Sequence, residues 1–463
     1  MSTERSVPRV GLLHRIDATT LLTVYLALLL LIPSDLVVGP LGAAGSPAQL
    51  LGMGFALAVL AWRCASPDPR RFAGTTSISA AALAFAACTL VSYVEATIRP
   101  IGSTELSSAD RGLLTITAWW GVLFLALYSS MTRERLRVLL HRLVVMVGAV
   151  AVLGIVQFAT GQVLVDQIQI PGLVANSALG GVTERSGFTR PAGTAGHPIE
   201  FGVVLAMALP LALHFAMSEE DARSRLARWW PVAAIALAIP QSLSRSAIVC
   251  VVVALACVMP GWTPQQRRRG GAGIVGLCLV LYLVVPGMLG TLTGLFTGLS
   301  DDGSTASRTD SYGLAFGFVE RAPWFGRGLF TWLPAYRILD NQYLGLLIEV
   351  GYIGTAVLLS LLLMTIVVGI RTVESATSRE DKSLARAMTS MVVVCVFGFA
   401  TFDAFGFPMV PGLLVLIIGL VGAARGVLGT LGSGGAVPGP DERHRGADTA
   451  QADPEHRSGT ART

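Results

Sequence analysis

The chain has 463 residues, of which 53% are hydrophobic and only 14% charged, and its mean hydropathy is +0.64. Soluble domains carry about 25% charged residues, so this balance excludes an ordinary soluble globule and implies a polytopic membrane protein. The net charge of +5 reads as anchoring at one membrane face and not as a nucleic-acid footprint.

A hydrocarbon core about 30 Å thick needs about 20 apolar residues per helix. Such runs recur at 20–38, 46–62, 77–95, 111–130, 138–159, 198–217, 229–242, 246–262, 271–291, 342–370, 387–402 and 410–425. The expected fold is therefore all-α, with about twelve transmembrane helices. A large soluble core would need polar faces at helical spacing, and most of these runs show none. Residues 1–19 read as an inner terminus, 20–430 as the membrane domain, and 431–463, rich in Gly, Pro, Ala and mixed charge, as a disordered inner tail.

Basic residues alternate between loops. Arg5, Arg9 and Arg15, the loops holding Arg63 to Arg71, Arg133 to Arg142, Arg223 to Arg228, Arg267 to Arg269 and Arg371 to Arg386, and the tail place 25 basic residues on one side and 9 on the other. The positive-inside rule then puts both termini in the cytoplasm. The first span reads as retained, because its leading segment is long and Asp35 interrupts its exit. The cysteines at 64, 88, 250, 257, 278 and 395 lie in spans or on the inner side, so neither a disulfide framework nor a metal site is indicated.

Two outer loops are long, at about 160–197 and 292–341, and long loops are usually functional or disordered. Their arginines and aromatics argue for function. In RPAGTAGHPIEFG the loop ends at Pro198, the favoured first residue of a helix. The free N–H groups of that helix start would then face Arg190 and His197, a plausible cradle for an anion. The plainer alternative has His197 capping the helix and Arg190 reaching lipid headgroups. In PQSLSRSAIV the turn from Gln241 to Arg245 starts a helix with an arginine, which opposes the helix dipole and calls for a phosphate, a carboxylate, water or a headgroup.

Within the second loop, STASRTDSYGLAFGFVE reads as a short helix beginning near Arg308. Its Tyr312, Ala315, Phe316 and Val319 form an apolar stripe that could lie in the membrane interface. RAPWFGRGLF follows as a Pro- and Gly-broken turn. The loop closes on YRILDNQYLGLLIEVGYIG, which sets Asp340, Asn341 and Gln342 before an apolar run, with Glu349 one to two turns inside. An ionisable group at that depth is expensive and points to function. Asp340 and Asn341 are also ordinary helix caps.

The ordered series TRPAGTAGHPIEFG, SLSRS, ASRTDSYGLAFGFVERAPWFGRGLF and DNQYLGLLIEVGYIG resembles the O-antigen ligase and O-antigen polymerase (Wzy-like) superfamily of bacterial membrane glycosyltransferases. The resemblance covers about Arg190 to Gly354 in detail. It implies a glycosyltransferase C-like helical fold with a partly helical outer loop and an active site on the outer face of the cytoplasmic membrane. The implied donor is a glycan on undecaprenyl diphosphate, the acceptor a glycan or lipid, and no metal or nucleotide cofactor is implied. By the same resemblance, Arg190 and Arg308 hold the diphosphate.

The superfamily usually carries a histidine beside, or two residues before, the asparagine of the last motif. Here those positions are Asp340 and Leu339. A partly desolvated Asp340 could act as the base on the acceptor hydroxyl, with His197 as its rival. Asn341 and Gln342 would hold the acceptor sugar, Glu349 would either point into the same cavity or be neutral and structural, and Arg245 would assist the arginines. Transfer of a lipid-linked glycan is the leading function; a transporter or flippase of lipid-linked sugars and a non-catalytic envelope assembly protein are the alternatives. Internal repeats expected of a transporter are not visible.

Overall fold

The computed structural model describes residues 17–65, 76–176, 183–185, 187–218, 224–297 and 303–429. The N-terminal residues 1–16 and the tail 431–463 lie outside the described residues. The fold is all-α, with two short two-stranded β pairs.

Among the described residues, eight helices are long and apolar enough to cross a membrane. They are α2 (Pro47–Ala65), α3 (Thr76–Ile98), α4 (Ser103–Tyr128), α5 (Arg133–Thr160), α6 (Pro198–Met217), α12 (Gln342–Ser375), α13 (Arg379–Phe399) and α14 (Met409–Leu428). A ninth arises if α9 (Pro264–Val284) and α10 (Met288–Thr297), bent by 114° at their junction, count as one span. The other three expected runs form α1 (Ala18–Leu30), α7 (Arg225–Gln241) and α8 (Arg245–Val258), of 13, 17 and 14 residues. The count of twelve is not reached by length and composition. The first run shows why: its end leaves the helix, and Leu36–Val38 becomes a strand, β1, paired antiparallel with β2 (Leu173–Ala175).

α6 is buried nearly all round, from Pro198 to Ala216. It forms the axis of the bundle, with α13 and α14 also largely enclosed. α2 meets α4 at small residues: a Cβ on Gly121 would lie 2.0 Å from the Gly52 carbonyl oxygen, so only glycine permits this approach.

The loops gather at one end. Thr194 Oγ1 bonds the Leu30 carbonyl, Arg99 reaches the Arg327 carbonyl, and Ser246 Oγ bonds the Thr401 carbonyl. At the opposite end Arg133 pairs with Asp381 at 2.7 Å and Arg228 caps the Ser218 carbonyl. The chain therefore has a loop-rich face and an arginine-rich face.

α11 (Gly303–Val319) lies on the loop-rich face. Its expected apolar stripe is divided. Ala315 and Val319 pack against Leu339, Leu344 and Ile348, while Tyr312 and Phe316 remain exposed. The helix thus docks on α12 by one edge.

α12 is broken at Gly351, whose φ of 68° and ψ of −171° are open only to glycine. The break frees backbone groups inside an apolar setting, where each unsatisfied one is costly. The segment 323–328 repairs it. Arg327 and Gly328 donate N–H to the Ile348 and Glu349 carbonyls at 3.1 and 2.9 Å, and Tyr352 and Ile353 donate to the Pro323 and Trp324 carbonyls at 2.8 and 3.1 Å. Ser92 of α3 adds its hydroxyl to the Glu349 carbonyl. RAPWFGRGLF is thus a backbone splint for a broken span.

Candidate functional site

The turn before α12 is built around a carboxylate from elsewhere. Asp403, between α13 and α14, accepts the backbone N–H groups of Leu339 (3.2 Å), Asp340 (3.2 Å) and Asn341 (3.0 Å). Three successive N–H groups converging on one anion form a concave nest. Asp340 takes a φ of +51° to make it, a conformation that Asp tolerates better than most residues. Burial pushes the Asp403 carboxyl above its usual range, as does the Asp340 carboxylate, against the pull of the three donors. Asp340 itself is half-buried, so its carboxylate stands at the edge of the nest.

Asn341 caps α12, its Oδ1 accepting Tyr343 N–H at 3.0 Å while its Nδ2 lies 3.4 Å from the Tyr312 hydroxyl of α11. Arg308 sits one helical turn before Tyr312 on the same helix. Only its backbone falls among the described residues.

The second cluster forms at the start of α6. His197 is its N-cap and accepts Ile199 N–H on Nδ1 at 3.1 Å, which leaves the neutral ring's proton on Nε2. Glu200, fully buried, accepts Gly196 N–H at 3.1 Å and reaches Met409 N–H at the start of α14 at 2.6 Å. The two helix starts are thereby tied together. His197 also packs on Phe407, with ring centroids 5.8 Å apart.

Burial, and then the Arg190 cation, push the His197 pKa down to about 4. An unfolded histidine titrates near 6.5. The folded state refuses a proton that the unfolded chain accepts, so His197 lowers stability progressively as pH falls from about 6.5 to about 4 and has no effect above that window. The unfolding temperature of the parent is expected to fall across this range, with a shallower slope in His197→Gln. Parallel curves for the two proteins would contradict it.

Arg190 lies on β4 (Phe188–Arg190), paired antiparallel with β3 (Thr183–Arg185). Its Nε donates to the Ser242 carbonyl at 2.9 Å, in the turn before α8. Ser244 caps that helix and Arg245 is its first residue. Phe188 shares a strand face with Arg190 and packs in a cluster with Leu243, Leu281 and Met288. Leu281 of this cluster, with its neighbours Leu277 and Leu289, also lines an apolar groove of about 1060 Å³ between α7, α8, α9 and α10. The strand that carries Arg190 therefore packs, through Phe188, against residues of the groove wall.

Two expected site residues are engaged in holding loops. Gln342 is buried and its Oε1 accepts Phe405 N–H at 2.6 Å. Glu349 is buried and its Oε1 accepts Trp332 N–H at 3.2 Å.

Sequence reasoning passed over the residues between α13 and α14, although this loop joins the two clusters. Asp403 holds the Asp340 turn, Thr401 meets Ser246 beside Arg245, and Phe407 meets His197. The same loop walls a cavity of about 300 Å³, lined also by Asp35, Gln49, Arg111, Asn176 and Phe330. Arg111 lies over the Phe330 ring at 5.7 Å. Asn176 N–H bonds the Asp35 carbonyl at 2.9 Å across the β1–β2 pair. For Glu200 a signal existed, since it follows the helix cap by three residues, the spacing of a capping box.

The chain matches no curated protein. A family model described as O-antigen ligase matches residues 230–359, from α7 into α12, which takes in Arg245, Arg308, Asp340, Asn341, Gln342 and Glu349 and leaves Arg190, His197 and Asp403 outside. This stretch is thus similar to the O-antigen ligase family and belongs to a multi-pass membrane protein.

Proposed function

We propose that the protein is a membrane glycosyltransferase that moves a glycan from a polyprenyl diphosphate, undecaprenyl diphosphate by the resemblance, to a hydroxyl on a glycan or lipid acceptor. It works at the outer face of the cytoplasmic membrane, with both termini inside. The reaction either extends or ligates a surface polysaccharide. The observation that carries the reading is Arg190, tethered to Ser242 on a strand whose Phe188 packs with residues of an apolar groove's wall. A fixed cation beside a hydrocarbon-lined slot suits a lipid diphosphate, whose tail lies in the groove and whose charge meets guanidinium donors.

Arg190, Arg245 and Arg308 hold the diphosphate. The half-buried Asp340 carboxylate takes the proton of the acceptor hydroxyl. The freed oxygen attacks the anomeric carbon, the bond from that carbon to the diphosphate oxygen breaks, and the polyprenyl diphosphate leaves as an anion stabilised by the arginines. A single base without a covalent nucleophile gives inversion at the anomeric carbon. His197 is disfavoured as base, since Nδ1 is committed to the helix cap and Nε2 carries the proton. Asp403 and Asn341 hold Asp340 in place, and the cavity with Asp35, Asn176 and Phe330 takes the acceptor sugar.

The test is transfer by purified protein given a polyprenyl diphosphate glycan. Asn keeps the positive φ that residue 340 needs, so Asp340→Asn is expected to fold normally and to lose transfer about a hundredfold. Full transfer by that variant would remove Asp340 as base. Movement of intact lipid-linked glycan across a bilayer without formation of a new glycosidic bond would overturn the transferase reading.

A further inference from the structure

We propose that the arginine-rich face holds a second binding site, for a lipid with a phosphate headgroup drawn from the leaflet on that side. A cavity of about 570 Å³ opens there among α6, the α8–α9 turn and the start of α13. Its charged lining is Arg379, Lys382 and Arg386 against one acid, Glu380. Arg137 and Arg228 converge close by on Ser218, and Arg133 is already matched by Asp381.

The lining is shaped and not merely basic. Among the described residues no carboxylate pairs with Lys382 or Arg386. The Arg386 guanidinium lies over Gly261, where a Cβ would come within 1.8 Å of Nη1. Arg379 donates to Gln266, the residue that completes the capping box of α9. His214, its side chain 2% exposed, touches Ser383 Oγ through Nδ1 at 2.9 Å. Its Nε2 makes no hydrogen bond and lies 3.9 Å from Glu380. Cations that served topology alone could project into water. Arg386 is half-buried and walls a cavity instead.

The apolar neighbour decides the ligand class. Leu213, Met217 and Trp262 line both this cavity and the apolar groove. A soluble phosphate compound would have no use for the groove, whereas a phospholipid places its headgroup among the cations and its chain in the groove's near end. Trp262 stands at that junction, where indole rings favour a polar–apolar boundary.

The test uses the full-length protein in a neutral detergent, with phosphatidylglycerol, phosphatidylcholine or inorganic phosphate added. Phosphatidylglycerol is expected to raise the unfolding temperature by about 4 °C, phosphatidylcholine to leave it unchanged, and phosphate to give a small fraction of the shift. In the double variant Lys382→Ala/Arg386→Ala the apparent affinity for phosphatidylglycerol falls about tenfold or more. Gly261→Ala, which displaces the guanidinium, serves as a second variant with the same expectation, and native mass spectrometry counts the bound lipid. Equal shifts from phosphatidylcholine, unchanged affinity in a folded variant, or a full shift from inorganic phosphate alone would each overturn the proposal.

Discussion

Gly351→Ala is expected to leave little or no folded protein in the membrane. Residue 351 has φ 68° and ψ −171°, a region essentially closed to side chains. Space is closed too, since a Cβ there would lie 2.5 Å from the Trp324 carbonyl carbon and oxygen. Relief would mean moving the 323–328 segment, which would undo the four backbone bonds across the break. Gly326, with φ of +70°, would meet the Glu349 carbonyl carbon at 2.3 Å, so the splint cannot yield from its own side. Strain, overpacking and lost bonds together cost about 4 kcal/mol or more, a large share of a typical stability of about 5–15 kcal/mol. Gly345→Ala is the control. It lies in the regular part of α12, its Cβ would be 3.7 Å from Gln342 Nε2, and alanine favours the helix. Gel filtration of detergent extracts and thermal unfolding measure both. A monodisperse Gly351→Ala protein that unfolds with the parent would show that the break is not required.

What could be read in advance was local. Pro198 after His197, Asn341 before Gln342 and the tight turn from Gln241 to Arg245 follow from capping and turn chemistry within a few residues, and each is observed. The helix over Gly303–Val319 likewise follows from its spacing. The buried edge of that helix could not be read, because Ala315 and Val319 are chosen over Tyr312 and Phe316 only by the presence of Leu339 and Ile348. Asp403 shows no signal in its own neighbourhood. Its meaning comes from three N–H groups more than sixty residues earlier in the chain. Gly326 and Gly351 look like ordinary glycines until they are seen to face one another. The length of the short helices was also hidden, since hydropathy marks where a chain is apolar and not where it turns.

Arg190→Ala is expected to cut glycan transfer about a thousandfold, the scale of losing one well-placed donor to a developing negative charge. Two contributions are separable. The Nε bond to Ser242 aligns the β4 strand with the turn that begins α8, and its loss costs about 1 kcal/mol of stability. On the proposed reading the guanidinium also meets the diphosphate, and the loss of that contact appears in turnover. Arg190→Lys keeps the charge but loses the planar fork that grips two oxygens at once. It is therefore expected to recover donor binding partly and turnover poorly. The pH-dependence adds an independent readout. Burial and then Arg190 hold the His197 pKa down near 4, so in Arg190→Ala the His197 titration should move up part of the way while burial keeps it below the ordinary value, and in Arg190→Lys it should stay low. Donor titrations, single-turnover transfer and NMR of the labelled histidine ring together decide the matter. If Arg190→Ala retains transfer within tenfold of the parent while the His197 titration moves, the side chain is an electrostatic neighbour of the helix cap, and the groove's cation must be sought at Arg245.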